Sequence, residues 1–71
     1  MSEMIKIWLA EMLHHEIEEV NGTISNNRLW LHSSETAEEI DMFSANIESL
    51  EEYKSLLLTM QKKVEEGTFN V

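Results

Sequence analysis

The chain contains no proline, and glycine occurs only twice in its 71 residues. Proline breaks a helix interior and glycine weakens it, so a chain that nearly lacks both can form long, uninterrupted helices. Apolar residues recur at helical spacings of three, four and seven along most of the sequence. This periodicity is typical of amphipathic helices. The sequence therefore predicts an all-α protein.

The first predicted helix covers about residues 3–33. Ser2 is a suitable N-cap, and Glu3 carries a negative charge where the helix dipole favours one. The apolar positions that follow share one helical face: Ile5, Leu9, Leu13, Ile17, Val20, Ile24 and Leu31.

Two features of this helix leave alternatives open. Asn21-Gly22 is a strong turn signal. The apolar pattern nevertheless stays in phase from Val20 to Ile24, which favours a continuous or kinked helix over a break. Asn27 occupies a core position of the heptad pattern. We interpret it as a residue near a frayed helix end, with a polar core residue that fixes the register or the oligomer state as the alternative.

The second predicted helix covers about residues 36–66. Thr36 and Glu39 fit a capping box, with Ser34 as a rival cap. Gly67 stands where a left-handed C-cap is expected. The apolar positions of this helix are Ile40, Phe43, Ile47, Leu50, Tyr53, Leu57, Met60 and Val64.

A short turn at about residues 33–35 joins the two helices, and residues 67–71 form a loose tail. Helices of equal length joined by a short turn lie antiparallel, so residue n faces roughly residue 69 − n. In this register, apolar residues meet apolar residues along the whole length: Ile5 with Val64, Leu9 with Met60, Leu13 with Leu57, Val20 with Leu50 and Leu31 with Ile40. The predicted fold is a single-domain antiparallel two-helix hairpin that self-associates into a helical bundle.

Self-association is expected because a chain this short buries too little surface for a robust core, and it has no cysteine for disulfides. The end of the hairpin away from the turn carries more apolar residues than one helix pair can bury. The alternative is a thicker core, closed by the N-terminal helix folding back at Gly22. The predicted oligomer interface consists of Ile5, Trp8, Leu9, Met12, Leu56, Leu58 and Met60.

The charge of the chain restricts its partners. Fourteen acidic residues stand against five basic ones, a formal net charge of −9. Such a chain repels phosphate backbones and anionic lipids, so we expect no direct binding to nucleic acid or membrane. A protein partner with a basic surface remains possible.

Six glutamates fall at one level of the predicted hairpin and would form an acidic belt. The belt is either an ordinary solvated face or a mimic of a phosphate backbone that occupies a basic groove. Its residues are Glu16, Glu18, Glu19, Glu48, Glu51 and Glu52.

Near the turn, Trp30 and Phe43 belong to an apolar cluster that either closes the end of the hairpin or serves as a binding hot spot. A possible small-ligand site, for an anion such as a nucleotide held between protomers, combines basic and aromatic residues. Its candidates are Arg28, Trp30, His32, Tyr53 and Lys54.

Glu11 and His14 match the Glu-x-x-His spacing of di-iron helical bundles. The apolar face defined by Leu13 and Ile17 turns Glu11 towards solvent, so we expect no metal site and no cofactor. The sequence has no phosphate-binding glycine loop and no recognisable catalytic set, and we expect that the protein is not an enzyme.

The stretch from Asn27 to Glu66 resembles small helical-hairpin proteins of uncharacterised function from phages and mobile elements of Gram-positive bacteria. The residues that carry the resemblance are Leu29-Trp30-Leu31, Thr36-Ala37-Glu38-Glu39 and Asn46-Ile47-Glu48-Ser49-Leu50 with Tyr53. It implies an accessory role, or a role in interaction with the host.

The sequence thus predicts a small acidic binding protein that regulates or inhibits another protein. The alternative is a protein that sequesters a small anion. No apolar run reaches the roughly 20 residues that span a bilayer, and Met1-Ser2-Glu3-Met4 lacks the basic start of a signal peptide. A cytoplasmic location is expected, in the host cell if the protein is phage-encoded.

Overall fold

The structure, a computed structural model, describes residues 2–67. Helix α1 covers Glu3–His32 and helix α2 covers Ala37–Glu66. The two helices pack against each other as an antiparallel hairpin with principal-axis extents of 51 × 16 × 14 Å, and no strand occurs in the described part of the chain. The predicted all-α hairpin is confirmed. Of the predicted loose tail, residues 68–71 lie outside the described range.

Both helices begin at the N-caps that the sequence predicted. The Ser2 Oγ atom accepts a hydrogen bond from the backbone N–H of Ile5 at 3.2 Å. Thr36 Oγ1 accepts one from the backbone N–H of Glu39 at 3.1 Å and donates its own proton to Glu39 Oε1 at the same distance. Each cap satisfies a backbone donor that has no partner within its helix.

The C-terminal ends differ from each other. Gly67 ends α2 in the left-handed conformation, with φ 72°, as predicted. Ser34 is not an N-cap for α2, so that alternative is wrong. The Ser34 hydroxyl instead donates a hydrogen bond to the carbonyl oxygen of Trp30 at 2.8 Å, and the Ser33 N–H donates to the carbonyl of Leu29 at 3.1 Å. Both serines complete the last turn of α1.

Helix α1 runs through Asn21-Gly22 without interruption. A break at Gly22, and with it an N-terminal helix folded back to thicken the core, is therefore wrong. A β-carbon built at Gly22 would meet nothing within 4 Å. No close packing therefore requires glycine at this position.

The core is a narrow seam between the two helices. The buried apolar residues are Leu13, Ile17, Val20, Ile24, Leu57 and Val64, with Leu9, Ala10 and Leu50 packed against them. The register agrees with prediction at the Glu16–Tyr53 hydrogen bond. Nearer the turn, Asn27 accepts from Asn46, which lies four residues, about one helical turn, from the position opposite Asn27, so this contact runs diagonally across the seam.

Asn27 belongs to this seam, so its interpretation as a residue near a frayed end is wrong. Its side chain is only 3 % exposed. Its Nδ2 donates to the carbonyl oxygen of Thr23 at 2.8 Å, and its Oδ1 accepts from Asn46 Nδ2 at 3.3 Å. Asn27 is therefore a polar residue of the core, as the alternative interpretation required, and it is bonded across the seam.

Within residues 2–67, neither helix combines the length and the apolar character that crossing a bilayer requires.

Candidate binding surfaces

The seam leaves a groove on each of its two flanks. On α1 the residues of the two grooves lie on either side of the buried stripe, because a helix turns by about 100° per residue. We call the two grooves the apolar groove and the polar groove. The apolar groove, of about 260 Å³, lies towards the end of the hairpin away from the turn. It is lined by Leu9, Met12, Leu13, Glu16, Tyr53, Leu57 and Met60.

Six large side chains around the apolar groove remain substantially exposed. Trp8 is 57 % exposed and precedes Met12 by one helical turn, and Leu56 is 64 % exposed and precedes Met60 by one turn. Residues so spaced are neighbours on a helix surface, so the six form one continuous face, which we call the open-end patch. Its members are Ile5, Trp8, Met12, Tyr53, Leu56 and Met60.

The open-end patch overlaps the predicted oligomer interface, with three differences. Leu58 lines the polar groove on the opposite flank, so the structure does not bring it together with the rest of the predicted set. Leu9 is partly buried against the core and forms part of the floor of the apolar groove. Tyr53, which was predicted as a ligand-binding residue, belongs to the open-end patch instead.

Tyr53 and Glu16 form the polar rim of the apolar groove. The Tyr53 hydroxyl donates a hydrogen bond to Glu16 Oε1 at 3.2 Å across the two helices. Loss of solvation raises the pKa of Tyr53, and the hydrogen bond to Glu16 and its negative charge raise it further. The phenol therefore stays protonated and keeps donating to Glu16 at neutral pH.

The polar groove is larger, about 570 Å³, and lies beside the middle of the hairpin. Arg28 and Lys54 both line it, and Arg28 Nη2 lies 2.6 Å from Glu51 Oε1 in an ion pair between the helices. The remaining lining residues are Asn21, Ile24, Ser25, Ser55 and Leu58. Two cationic side chains and several hydroxyl and amide groups therefore face one open groove.

The predicted small-ligand site does not come together as one site. Arg28 and Lys54 share the polar groove, whereas Tyr53 lies on the opposite flank. Trp30 contacts Phe43 instead, with ring centroids 5.8 Å apart. His32 is the last residue of α1 and lines neither groove. Beside its contact with Phe43, Trp30 remains 51 % exposed.

The six glutamates of the predicted acidic belt surround the middle of the hairpin and do not share one face. Glu18 lies 3.0 Å from His14 Nε2, and Glu19 lies 3.4 Å from His15 Nε2, each one turn along α1. Glu16 binds Tyr53 and Glu51 binds Arg28 on opposite flanks. Glu48 and Glu52 are exposed on α2.

Charge is unevenly divided along the hairpin. The turn-side half, residues 16–54, contains ten acidic and two basic residues and so carries a net charge of −8. The rest of the chain contains four acidic residues and three lysines, a net charge of −1. Five of the six open-end patch residues thus lie in a nearly neutral half, and Tyr53 lies at the border of the other half, which is strongly negative.

The Glu-x-x-His pair is exposed in α1, with His14 paired to Glu18. Across residues 2–67, no three histidine, aspartate or glutamate side chains come together as ligands for one metal ion.

The sequence predicted that Arg28 and Lys54 share a binding site, but it did not predict the polar groove itself. The groove is formed by residues of both helices, so its prediction requires the alignment of one helix against the other. No protein-family model, curated protein or solved structure matches the chain. The two grooves, the open-end patch and the division of charge are therefore the observations that bear on function.

Proposed function

We propose that the chain is a small, non-enzymatic binding protein that self-associates through its neutral half and acts on a basic protein partner through its acidic half. Its resemblance to phage-encoded hairpins suggests an accessory regulator or inhibitor in the host cytoplasm.

One observation carries this proposal: the two halves of a single rod differ in net charge. Five of the six open-end patch residues lie in a half with a net charge of −1, while residues 16–54 carry −8 and also expose Leu29, Trp30, Ile40 and Met42. Exposed apolar patches of this kind in small proteins are commonly interaction surfaces. A dense negative surface attracts basic partners and accelerates their association.

The acidic half is suited to a long basic groove. Its carboxylates stand on two antiparallel helices and surround the hairpin, so a groove that binds a phosphate backbone would meet negative charge from either helix. Glu18, Glu19, Glu48 and Glu52 are all exposed there. The partner would then be a protein that handles nucleic acid, and the chain would inhibit it by competing for the same groove.

The experiment is capture of partners from a Gram-positive bacterial lysate with the tagged full-length chain. Four belt glutamates are changed to glutamine: Glu18→Gln, Glu19→Gln, Glu48→Gln and Glu52→Gln. Glu16 and Glu51 are left unchanged because they bind Tyr53 and Arg28. The expected result is a stoichiometric partner that is lost in this variant, and that elutes when salt is raised from about 0.1 M to about 0.5 M.

The matched control makes the same change of charge in the other half, with Glu3→Gln, Glu11→Gln, Glu65→Gln and Glu66→Gln. Capture should survive in the control. Equal loss in both variants would show that only total charge matters, and equal retention in both would reject the acidic half as the binding surface.

The polar groove favours a second candidate function, the sequestering of a small anion by Arg28 and Lys54. The ion pair with Glu51 weakens this candidate, because an anion would have to displace that carboxylate from Arg28. Isothermal titration with inorganic phosphate and with a nucleoside monophosphate tests it. Binding that is lost in Arg28→Ala and Lys54→Ala, but kept in His32→Ala, would favour the anion-binding function.

A further inference from the structure

We propose that the open-end patch binds a second copy of this chain in an antiparallel two-fold dimer, in which Trp8 of each copy inserts into the apolar groove of the other. This inference rests on the self-association in the proposed function and names its residues and geometry.

The first observation that supports this dimer is the exposed area of the open-end patch. The exposed fractions of the six patch residues correspond to roughly 600 Å² of residue surface per hairpin. Two such faces, if fully covered, bury up to about 1,200 Å² in total, which is above the minimum of about 1,000 Å² for a specific interface. The patch by itself is therefore large enough for a stable contact between two copies.

The second support is self-complementarity. A two-fold contact uses the same surface on both copies, so that surface must offer both a projecting side chain and a cavity to receive it. Trp8 is exposed one helical turn before Met12, which lines the apolar groove, and the groove volume of about 260 Å³ suits one large side chain. The groove floor is apolar, formed by residues such as Leu13 and Leu57.

The groove also offers a partner for the polar atom of an inserted indole. A buried indole N–H usually needs an acceptor. The Glu16 carboxylate stands at the rim of the groove, where one of its oxygens already accepts from Tyr53. A carboxylate has two oxygens and accepts several hydrogen bonds, so the same group can also receive the indole N–H of the second copy.

The third support is charge, which selects the relative direction of the two hairpins. If the copies lay parallel, their two halves of net charge −8 would lie side by side. In the antiparallel arrangement, the nearly neutral open ends overlap and the acidic halves point away from each other. Repulsion between like charges therefore favours an elongated dimer.

This arrangement has a measurable length. Each hairpin is 51 Å long, and the patch is centred on the second to third turns from its open end. At a rise of 1.5 Å per residue, two copies that overlap by their patches span roughly 80 Å. A parallel side-by-side dimer would be about as long as a single hairpin.

The test combines light scattering and small-angle X-ray scattering on the full chain from about 1 µM to about 1 mM. We expect a dimer with a maximum dimension of roughly 80 Å. Trp8→Ala should weaken dimerisation by at least about tenfold, because aromatic anchors dominate such interfaces. Two control variants, Trp30→Ala at the turn end and Leu58→Ala on the opposite flank, should change it by less than about twofold.

A second readout does not depend on the stability of the Trp8→Ala variant. In Trp30→Phe the only tryptophan is Trp8, and its fluorescence emission should shift to the blue as the concentration rises through the dimerisation range. In Trp8→Phe, the emission of Trp30 should not shift.

Three outcomes would overturn the inference: a monomer throughout this range, a dimer no longer than one hairpin, or a dimer unaffected at Trp8. The variant in which four belt glutamates are changed to glutamine distinguishes failure of the dimer from failure of partner binding in the proposed function. It should lose the captured partner and keep the dimer.

Discussion

Asn46 of α2 donates a hydrogen bond from Nδ2 to Oδ1 of Asn27 on α1 at 3.3 Å, which is a polar contact within an otherwise apolar seam. Asn27 is nearly fully buried, whereas Asn46 is exposed at the edge. A buried asparagine in a helical seam favours the one alignment in which it finds a partner. Displacement of either helix by a turn would leave the Asn27 amide oxygen without this donor.

The first prediction concerns this pair. Asn27→Ala should lower the free energy of unfolding by about 1–2 kcal/mol, since it removes a buried hydrogen bond and leaves a cavity. Asn27→Leu should be at least as stable as the wild type, because apolar replacement of a buried polar group is often neutral or stabilising. Urea denaturation at a fixed protein concentration measures both.

The leucine variant should also lose a unique register. Its amide spectrum in NMR should show additional resonances from displaced alignments, whereas the wild type should show one set. A single set of resonances in Asn27→Leu would mean that the turn and the helix caps fix the register without this pair.

The features that were predicted most accurately are those that depend on residues close together in the chain. The caps at Ser2, Thr36 and Gly67 depend on side chains and backbone within a few positions, so their pattern is visible in the sequence. Asn27 was misinterpreted because its partner Asn46 lies in the other helix, and the diagonal contact that joins them is a property of packing.

The assignment of residues to flanks failed for a related reason. Leu58 was predicted in the oligomer interface together with Leu56. Residues two positions apart do not face the same way on a helix. The structure accordingly places Leu58 in the polar groove, and Tyr53 with the open-end patch. The helical spacing was the signal that could have separated them.

The second prediction concerns the two glycines, which should respond to alanine with opposite signs. Gly22 lies inside α1, and an added β-carbon would meet nothing within 4 Å. Gly22→Ala should therefore raise the free energy of unfolding by about 0.5–1 kcal/mol. Gly67 has φ 72°, a conformation that costs alanine about 1 kcal/mol or more, so Gly67→Ala should lower the stability. Thermal unfolding of both variants at equal concentration provides the measurement.

The third prediction is a small coupling energy between Arg28 and Glu51. The Arg28–Glu51 ion pair has a short distance of 2.6 Å, but its side chains are 62 % and 50 % exposed. Exposed pairs contribute about 0.2–1 kcal/mol, and salt screens them. A double-mutant cycle with Arg28→Ala and Glu51→Ala should give a coupling energy in this range, and the coupling should shrink in about 1 M salt. A coupling of several kcal/mol that persists in high salt would indicate that the pair is buried in an assembly.

The fourth prediction concerns Tyr53 and alkaline pH. Reduced solvation, with the hydrogen bond and charge of Glu16, holds the pKa of Tyr53 above its ordinary value of about 10. The folded chain thus binds this proton more tightly than the unfolded chain does. The resulting stabilisation is fully present below the unfolded pKa and is lost as the pH rises through the folded pKa. The unfolding free energy of the wild type should therefore fall more steeply above about pH 10 than that of Tyr53→Phe.

Because Tyr53 is the only tyrosine in the chain, the ultraviolet absorbance of tyrosinate reports its titration without ambiguity. Glu16→Gln removes the negative charge and should shift the titration towards the ordinary value, while the contribution from reduced solvation should remain. Dimerisation through the open-end patch would bury Tyr53 further, so its pKa should also rise with protein concentration. A titration curve that is unchanged by Glu16→Gln would contradict the hydrogen bond between the two side chains.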